Sequence, residues 1–236
     1  MTDPGDLIDR LAALEADNHR LRRLLDEAGV TDSLRHALRD TMALLRTIIR
    51  RSADTASDVE SYVAHLEGRI DSLMRMRART DAFGEADLHL LVSEELLFHL
   101  VREGERATIS GPPVRLRPKA AQVLALAMHE LVSNAVEHGP LDRTQGRVTA
   151  TWQIVGAKPQ PNLVLDWTEE GAASPLEGPF RRGFGREVLE TVLAYELGAQ
   201  TELRFDPRGL RGTFRIPFTP RIGRISDRIE NDTDSP

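Results

Sequence analysis

The spacing of apolar residues changes character once, near Arg106, and that change limits what the chain can fold into. Before it, apolar residues recur at intervals of three and four, the period of a helix. After it, short alternating runs and glycine–proline turns are interleaved with further helical stretches. The first part is therefore expected to be helical and the second to mix helices with strands, giving an α+β chain. This divides the chain into a coiled-coil helix over 1–30, a helical domain over 31–104, an α/β sandwich over 105–220 and a polar tail over 221–236 whose composition predicts disorder.

In the first segment Leu7, Leu11, Leu14, Asn18, Leu21 and Leu25 alternate steps of four and three, a heptad seam. One Asn among the a positions favours a parallel two-stranded coil, because the amides pair only in that register. The plainer reading is an amphipathic helix packed on its own domain. Gly29 marks a joint, and Asp32 or Ser33 can cap the next helix. There Leu34, Leu38, Met42, Leu45 and Ile49 form a stripe, with His36 roughly opposite it and Asp40 one turn on from His36. A further helical pattern runs through Val59, Tyr62, Val63, Leu66, Ile70 and Leu73. The pair predicts a helical hairpin, and two hairpins from two copies would close a four-helix bundle in a parallel homodimer. Ala86 to Val101 reads as one more helix.

In the mixed part, Ala107 to Ser110 is a short strand followed by a Gly111-Pro112-Pro113 turn. Pro118 starts a helix that runs to His138 and stops at Gly139-Pro140. Val148 to Val155 and Leu163 to Thr168 read as paired strands. Gly185 to Leu197 is a helix ended by Gly198, and Thr201 to Phe205 and Thr213 to Pro217 are strands around a Gly209 turn.

The absence of cysteine excludes disulfides and thiolate chemistry. A net charge of −6 and only 5% aromatic residues give no surface for a polyanion or for base stacking, so no nucleic-acid partner is expected. No apolar run approaches the roughly 20 residues that span a bilayer, and the first residues lack a signal-peptide pattern. The expectation is a cytoplasmic protein with no membrane partner.

The residues with chemical potential lie in three places. On the helix ending at His138, Leu124, Met128, Leu131 and Ala135 face one side, while Glu130, Asn134 and His138 stand four apart on the other. An acid and an amide one turn apart can hold a hydrated magnesium ion beside a triphosphate. Leu163, Leu165, Trp167 and Glu169 alternate along a strand, so Glu169 sits at its end before Gly171, ready to accept from an amino group. Arg181-Arg182-Gly183-Phe184-Gly185 then leads into a helix, where backbone amides can approach phosphate oxygens. Taken singly, each has a plainer reading: a wet helix face, a strand end, an ordinary turn. Their order along the chain is what is specific.

That order resembles the nucleotide-binding domain shared by gyrase, Hsp90, histidine kinases and the mismatch-repair MutL proteins. More narrowly it resembles the HWE class of bacterial histidine kinases, marked by a His in the asparagine box, here His129, and by Trp-x-Glu, here Trp167-Thr168-Glu169. Leu34-Arg35-His36 is similar to the class's phosphoacceptor box, although Ala37 and Asp40 stand where the usual pattern has Arg and Asn. Glu137 stands where the family often has a basic residue.

The resemblance implies a soluble two-component sensor kinase that phosphorylates itself from Mg-ATP and passes the phosphoryl group to a response-regulator aspartate. The domain over 31–104 would serve dimerisation and histidine phosphotransfer, and the one over 105–220 would bind ATP. His36 would be the phosphoacceptor, Asn134 and Glu130 the magnesium pair, and Glu130 also a polarising acid. The ATP-binding set would be Asn134, His138, Glu169, Gly171, Arg182, Gly183 and Gly185, with Glu169 reading adenine and the glycines hinging a lid. Asp40, on the face of His36, is the candidate base, with a solvated surface acid as its alternative. His129 and Trp167 either pack or, for His129, take a nucleotide role. Partners would be a receiver domain and, where the signal does not come through the coil or the catalytic core itself, a separate sensory protein. Two other functions fit the same features: a phosphotransfer hub with a degenerate nucleotide domain, and a non-enzymatic interaction module.

Overall fold

The computed structural model describes residues 16–17, 20, 32–55, 58–81, 84–157, 161–171, 184–206 and 209–226. They fall into two compact units, 1–67 and 68–236. Almost all of the proposed coiled coil over 1–30 lies outside the described residues.

The first unit holds α1 (Asp32–Thr55) and the start of α2 (Val59–Ala78). Asp58 caps α2: its carboxylate accepts from the Ser61 amide at 2.8 Å, satisfying a donor that the first turn leaves open. On α1 the buried line runs through Leu44, Ile48 and Ser52, while Met42, Leu45 and Ile49 are half-buried. The apolar arc is as expected, but its centre lies one position away from the stripe read off the sequence. Asp40 is exposed.

The second unit begins at Gly68 with the rest of α2. Ala86–Asp87 (β1) precede α3 (Leu88–Phe98), so the single helix expected over this stretch is shorter. The cause is Asp87, whose side chain accepts from the Leu90 amide at 3.0 Å and starts the helix there. At the other end Leu100 adopts φ +60°, the Leu100 amide bonds to Leu97 O and the Val101 amide to Leu96 O. That is the Schellman stop, built here without the usual glycine.

Next come β2 (Ala107–Ser110), β3 (Val114–Leu116) and α4 (Pro118–Glu137). Pro118 takes the first helical position, where a missing amide costs nothing. β4 (Arg147–Val155) and β5 (Asn162–Glu170) pair antiparallel through their whole length. α5 covers residues 184–197 and contains one π turn, Val188–Val192, before Gly198 ends it in the left-handed region at φ +66°. β6 (Gln200–Asp206), β7 (Gly209–Pro217) and β8 (Gly223–Ile225) complete the unit. The main sheet has order β2-β4-β5-β7-β6, with β2–β4 parallel and the other pairs antiparallel.

A second small sheet, β1-β3-β8, corrects the expectation of a disordered segment from residue 221. Ile222 is buried and Gly223–Ile225 pair with Val114–Leu116, giving that short stretch an apolar anchor and backbone partners along one edge. Residues 227–236 lie outside the described ones.

The core forms where the alternating faces of the main sheet meet α4 and α5. Leu165 stands opposite Phe214 and Leu163 opposite Ile216, while Trp167 stands opposite Gly212, where a Cβ would press on Phe214 and Leu203. The Thr201 hydroxyl bonds to Leu189 O at 2.5 Å and ties α5 to β6.

Candidate active site

Period-two alternation carries β5's buried face from Leu163 through Leu165 and Trp167 to Glu169, which is only 2% exposed. Its carboxylate is held from two sides: Trp167 Nε1 donates to Oε1 at 3.1 Å and the Leu210 amide to Oε2 at 3.3 Å. Burial raises the Glu169 carboxyl to about 7, against the pull of those two donors. Two glycines make this placement possible. A Cβ on Gly139 would stand 3.0 Å from Glu169 Oε2, and one on Gly209 would stand 2.7 Å from Glu169 Cβ. Such a carboxyl, at the end of a sheet and bounded by glycine, can accept a hydrogen bond from an amino group approaching past Gly139. Gly171, two residues on, has φ +100° and lets the chain turn away immediately.

Asn134 and Glu130 lie one turn apart on α4, and the start of α5 meets them. A Cβ on Gly185 would be 3.0 Å from Glu130 Oε2 and 3.1 Å from Asn134 Nδ2. The structure thus brings Glu130, Asn134 and Gly185 together, and Glu169 with Gly139 and Gly209. His138 is the exposed C-cap of α4. Arg182 and Gly183 lie outside the described residues. His36 is within α1, its side chain outside the described ones, and Asp40 is an exposed acid on that helix.

Two findings were not legible in advance. Glu130 does not face solvent: it is buried, and Arg69 from α2 donates to it through Nε at 2.7 Å and NH2 at 3.3 Å. His129 is buried too, with Nδ1 2.8 Å from Glu95 Oε1. Glu95 also accepts from Ser72 Oγ at 2.8 Å and Arg75 NH2 at 3.0 Å. Burial would raise the Glu95 carboxyl, but His129 and Arg75 together hold it below its ordinary value. In the helical pattern of α2, Arg69, Ser72 and Arg75 look like solvated residues, so only the fold reveals their partners.

The donor set suits Mg-ATP in part. Asn134 Nδ2 bonds to Glu130 O at 2.5 Å, which leaves its amide oxygen, a hard ligand, for a magnesium ion. Glu130 fits less well as a direct ligand, because Arg69 already neutralises its carboxylate. No helix among the described residues is long and apolar enough to cross a membrane.

Comparison with known proteins places these features. A family model described as HWE histidine kinase matches residues 33–113. A blue-light-activated histidine kinase of Rhizobium johnstonii is 30% identical over 213 residues, covering 88% of this chain and 56% of that protein. One from Brucella anthropi is 28% identical, covering 86% of this chain and 42% of that protein. The chain therefore spans about half the length of the curated relatives it matches. Among solved structures, the blue-light activated histidine kinase EL346 of Erythrobacter litoralis superposes with a TM-score of 0.55 at 16% identity, over 80% of this chain and 60% of that one. Its histidine kinase domain alone gives 0.51 at 16% identity, over 76% and 96%. These two share the fold. The family match over residues 33–113, the relatives and the Trp-x-Glu pair held in the core together make this chain similar to the HWE histidine kinases.

Proposed function

We propose that the chain is the kinase core of a two-component system, transferring the terminal phosphoryl group of Mg-ATP to His36 and thence to an aspartate of a response-regulator receiver domain. The observation that carries this reading is the buried Glu169 carboxyl near the end of β5, bounded by Gly139 and Gly209, on the same unit as the Asn134–Gly185 contact. Adenine offers the amino group that such a carboxyl accepts from. Asn134 would hold the magnesium ion, and Arg182, Gly183 and Gly185 would form the lid over the phosphates. The domain roles would be dimerisation and phosphotransfer over 31–104 and nucleotide binding over 105–220, in a parallel homodimer.

Magnesium, held by Asn134, would neutralise charge on the phosphates, and the rest of the catalysis is positioning. The neutral imidazole of His36 attacks the terminal phosphorus. A P–N bond forms, the bond to the ADP oxygen breaks, and the imidazole loses its proton to solvent or to Asp40.

Incubation of the intact protein with labelled ATP and magnesium tests the proposal. Acid-labile label is expected on wild type and none on His36→Gln, with ATP affinity retained. Label acquired only from a phosphorylated regulator would make the chain a phosphotransfer hub, and no label by either route an interaction module; either overturns the kinase reading.

A further inference from the structure

We propose that Glu95, His99 and His129 form a binding site for one zinc-class divalent cation, separate from the nucleotide site. Glu95 and His99 stand four apart on α3, which puts both on one helix face, and His129 reaches them from α4. His129 Nδ1 is 2.8 Å from Glu95 Oε1, His99 Nε2 is 3.9 Å from the same oxygen, and all three donor atoms lie within 4.8 Å of one another. Bonds of about 2.1 Å in a tetrahedron separate donors by about 3.4 Å, between the two distances found here. The imidazole rings are 6.3 Å apart and tilted by 37°.

One further observation points to a ligand. His99 Nε2 is buried and has no hydrogen-bond partner, which is costly for a polar nitrogen in a protein interior. Around the carboxylate, Ser72 Oγ and Arg75 NH2 supply the outer hydrogen bonds that orient a metal-ligating carboxylate. Arg75's charge also selects the metal. With a guanidinium 3.0 Å from the one carboxylate, imidazole must supply most of the affinity, which favours zinc over magnesium or calcium.

Binding replaces any proton on His129 Nδ1 with the cation, and the side of His99, with 19% of its side chain exposed, gives the way in. A bound ion would staple α3 to α4 immediately before Glu130. The proposal does not rest on the kinase reading, and its test uses no nucleotide. The intact protein, stripped with EDTA, is titrated with cobalt(II) and then zinc. One equivalent of cobalt should give the intense visible absorption of a tetrahedral site, which zinc abolishes. In His99→Ala, half-buried and replaceable, the band should vanish, with zinc binding at least about tenfold weaker; Ser72→Ala should weaken zinc by about tenfold, the lower end for an outer-shell loss. A spectrum of aqueous octahedral cobalt at every ratio, or a band unchanged in His99→Ala, overturns the site.

Discussion

Arg69 and Glu130, 61 residues apart in sequence, form an ion pair with Nε 2.7 Å from Oε1 and side chains only 6% and 8% exposed. A pair this dry gains little over two apolar residues, because desolvation of both charges offsets their attraction. Breaking it from one side is different, since the remaining charge stays buried. The pair therefore holds α2 to α4 as a condition of the fold rather than as a large source of stability.

Arg69→Met should accordingly cost about 3–5 kcal/mol in urea unfolding, the usual penalty for stranding a buried charge. Arg69→Met combined with Glu130→Gln should recover more than half of that loss. A double variant no more stable than Arg69→Met would show that packing by the arginine stem, and not charge pairing, carries the effect.

Glu169 gives a pH prediction with a definite sign. Its carboxyl is raised from 4.5 to about 7, so the fold prefers the neutral acid. The resulting penalty is absent below the unfolded value, grows as pH rises, and is complete above about 7, where it amounts to about 3 kcal/mol. Glu169→Gln removes the titration. Its stability relative to wild type should therefore improve by about 3 kcal/mol between pH 4 and pH 8. A difference that stays flat across that range would mean that the carboxyl titrates normally.

How much of this was legible beforehand follows from how far each signal reaches. The ends of α4 were readable because Pro118 and Gly139-Pro140 act locally, and Glu169's burial followed from alternation along one strand. The shortening of α3 also had a local cause, the Asp87 cap, but a helix-compatible sequence on either side obscured it. β8 is three residues long, too short for any period to register. The partners of Glu130 and His129 come from 61 and 34 residues away, and Arg69, Ser72, Glu95 and His99 look like ordinary surface residues of amphipathic helices. Tertiary packing selected which polar residues of those helices were buried, and the local pattern carries no record of that choice.

Leu100 sits in the left-handed region at φ +60° with its side chain 87% exposed. Replacement by glycine removes the steric cost of that conformation and gives up almost no buried surface, at the expense of a more flexible unfolded chain. Leu100→Gly should stabilise the fold by about 0.5–1 kcal/mol. A loss of stability in thermal or urea unfolding would indicate that the leucine packs against something in solution.

Gly185 separates nucleotide binding from folding most cleanly. A methyl group there would come within 3.0 Å of Glu130 Oε2 and 3.1 Å of Asn134 Nδ2, tighter than ordinary contacts. Both atoms belong to side chains, so the fold can yield by a few tenths of an ångström, and the stability cost should stay below about 1 kcal/mol. The same displacement moves the Asn134 amide, whose Nδ2 is bonded to Glu130 O, out of the position in which its oxygen would meet a cation. Since a positioning error of that size weakens a preorganised site, Gly185→Ala should bind Mg-ATP at least about tenfold more weakly by calorimetry, with the thermal midpoint lowered by less than about 4 °C. Asn134→Ala should match it in binding, and the two changes combined should be no worse than either alone, because both act through one amide. Additive losses in the double variant would mean that Gly185 contributes to binding by a separate route, through the lid rather than through Asn134.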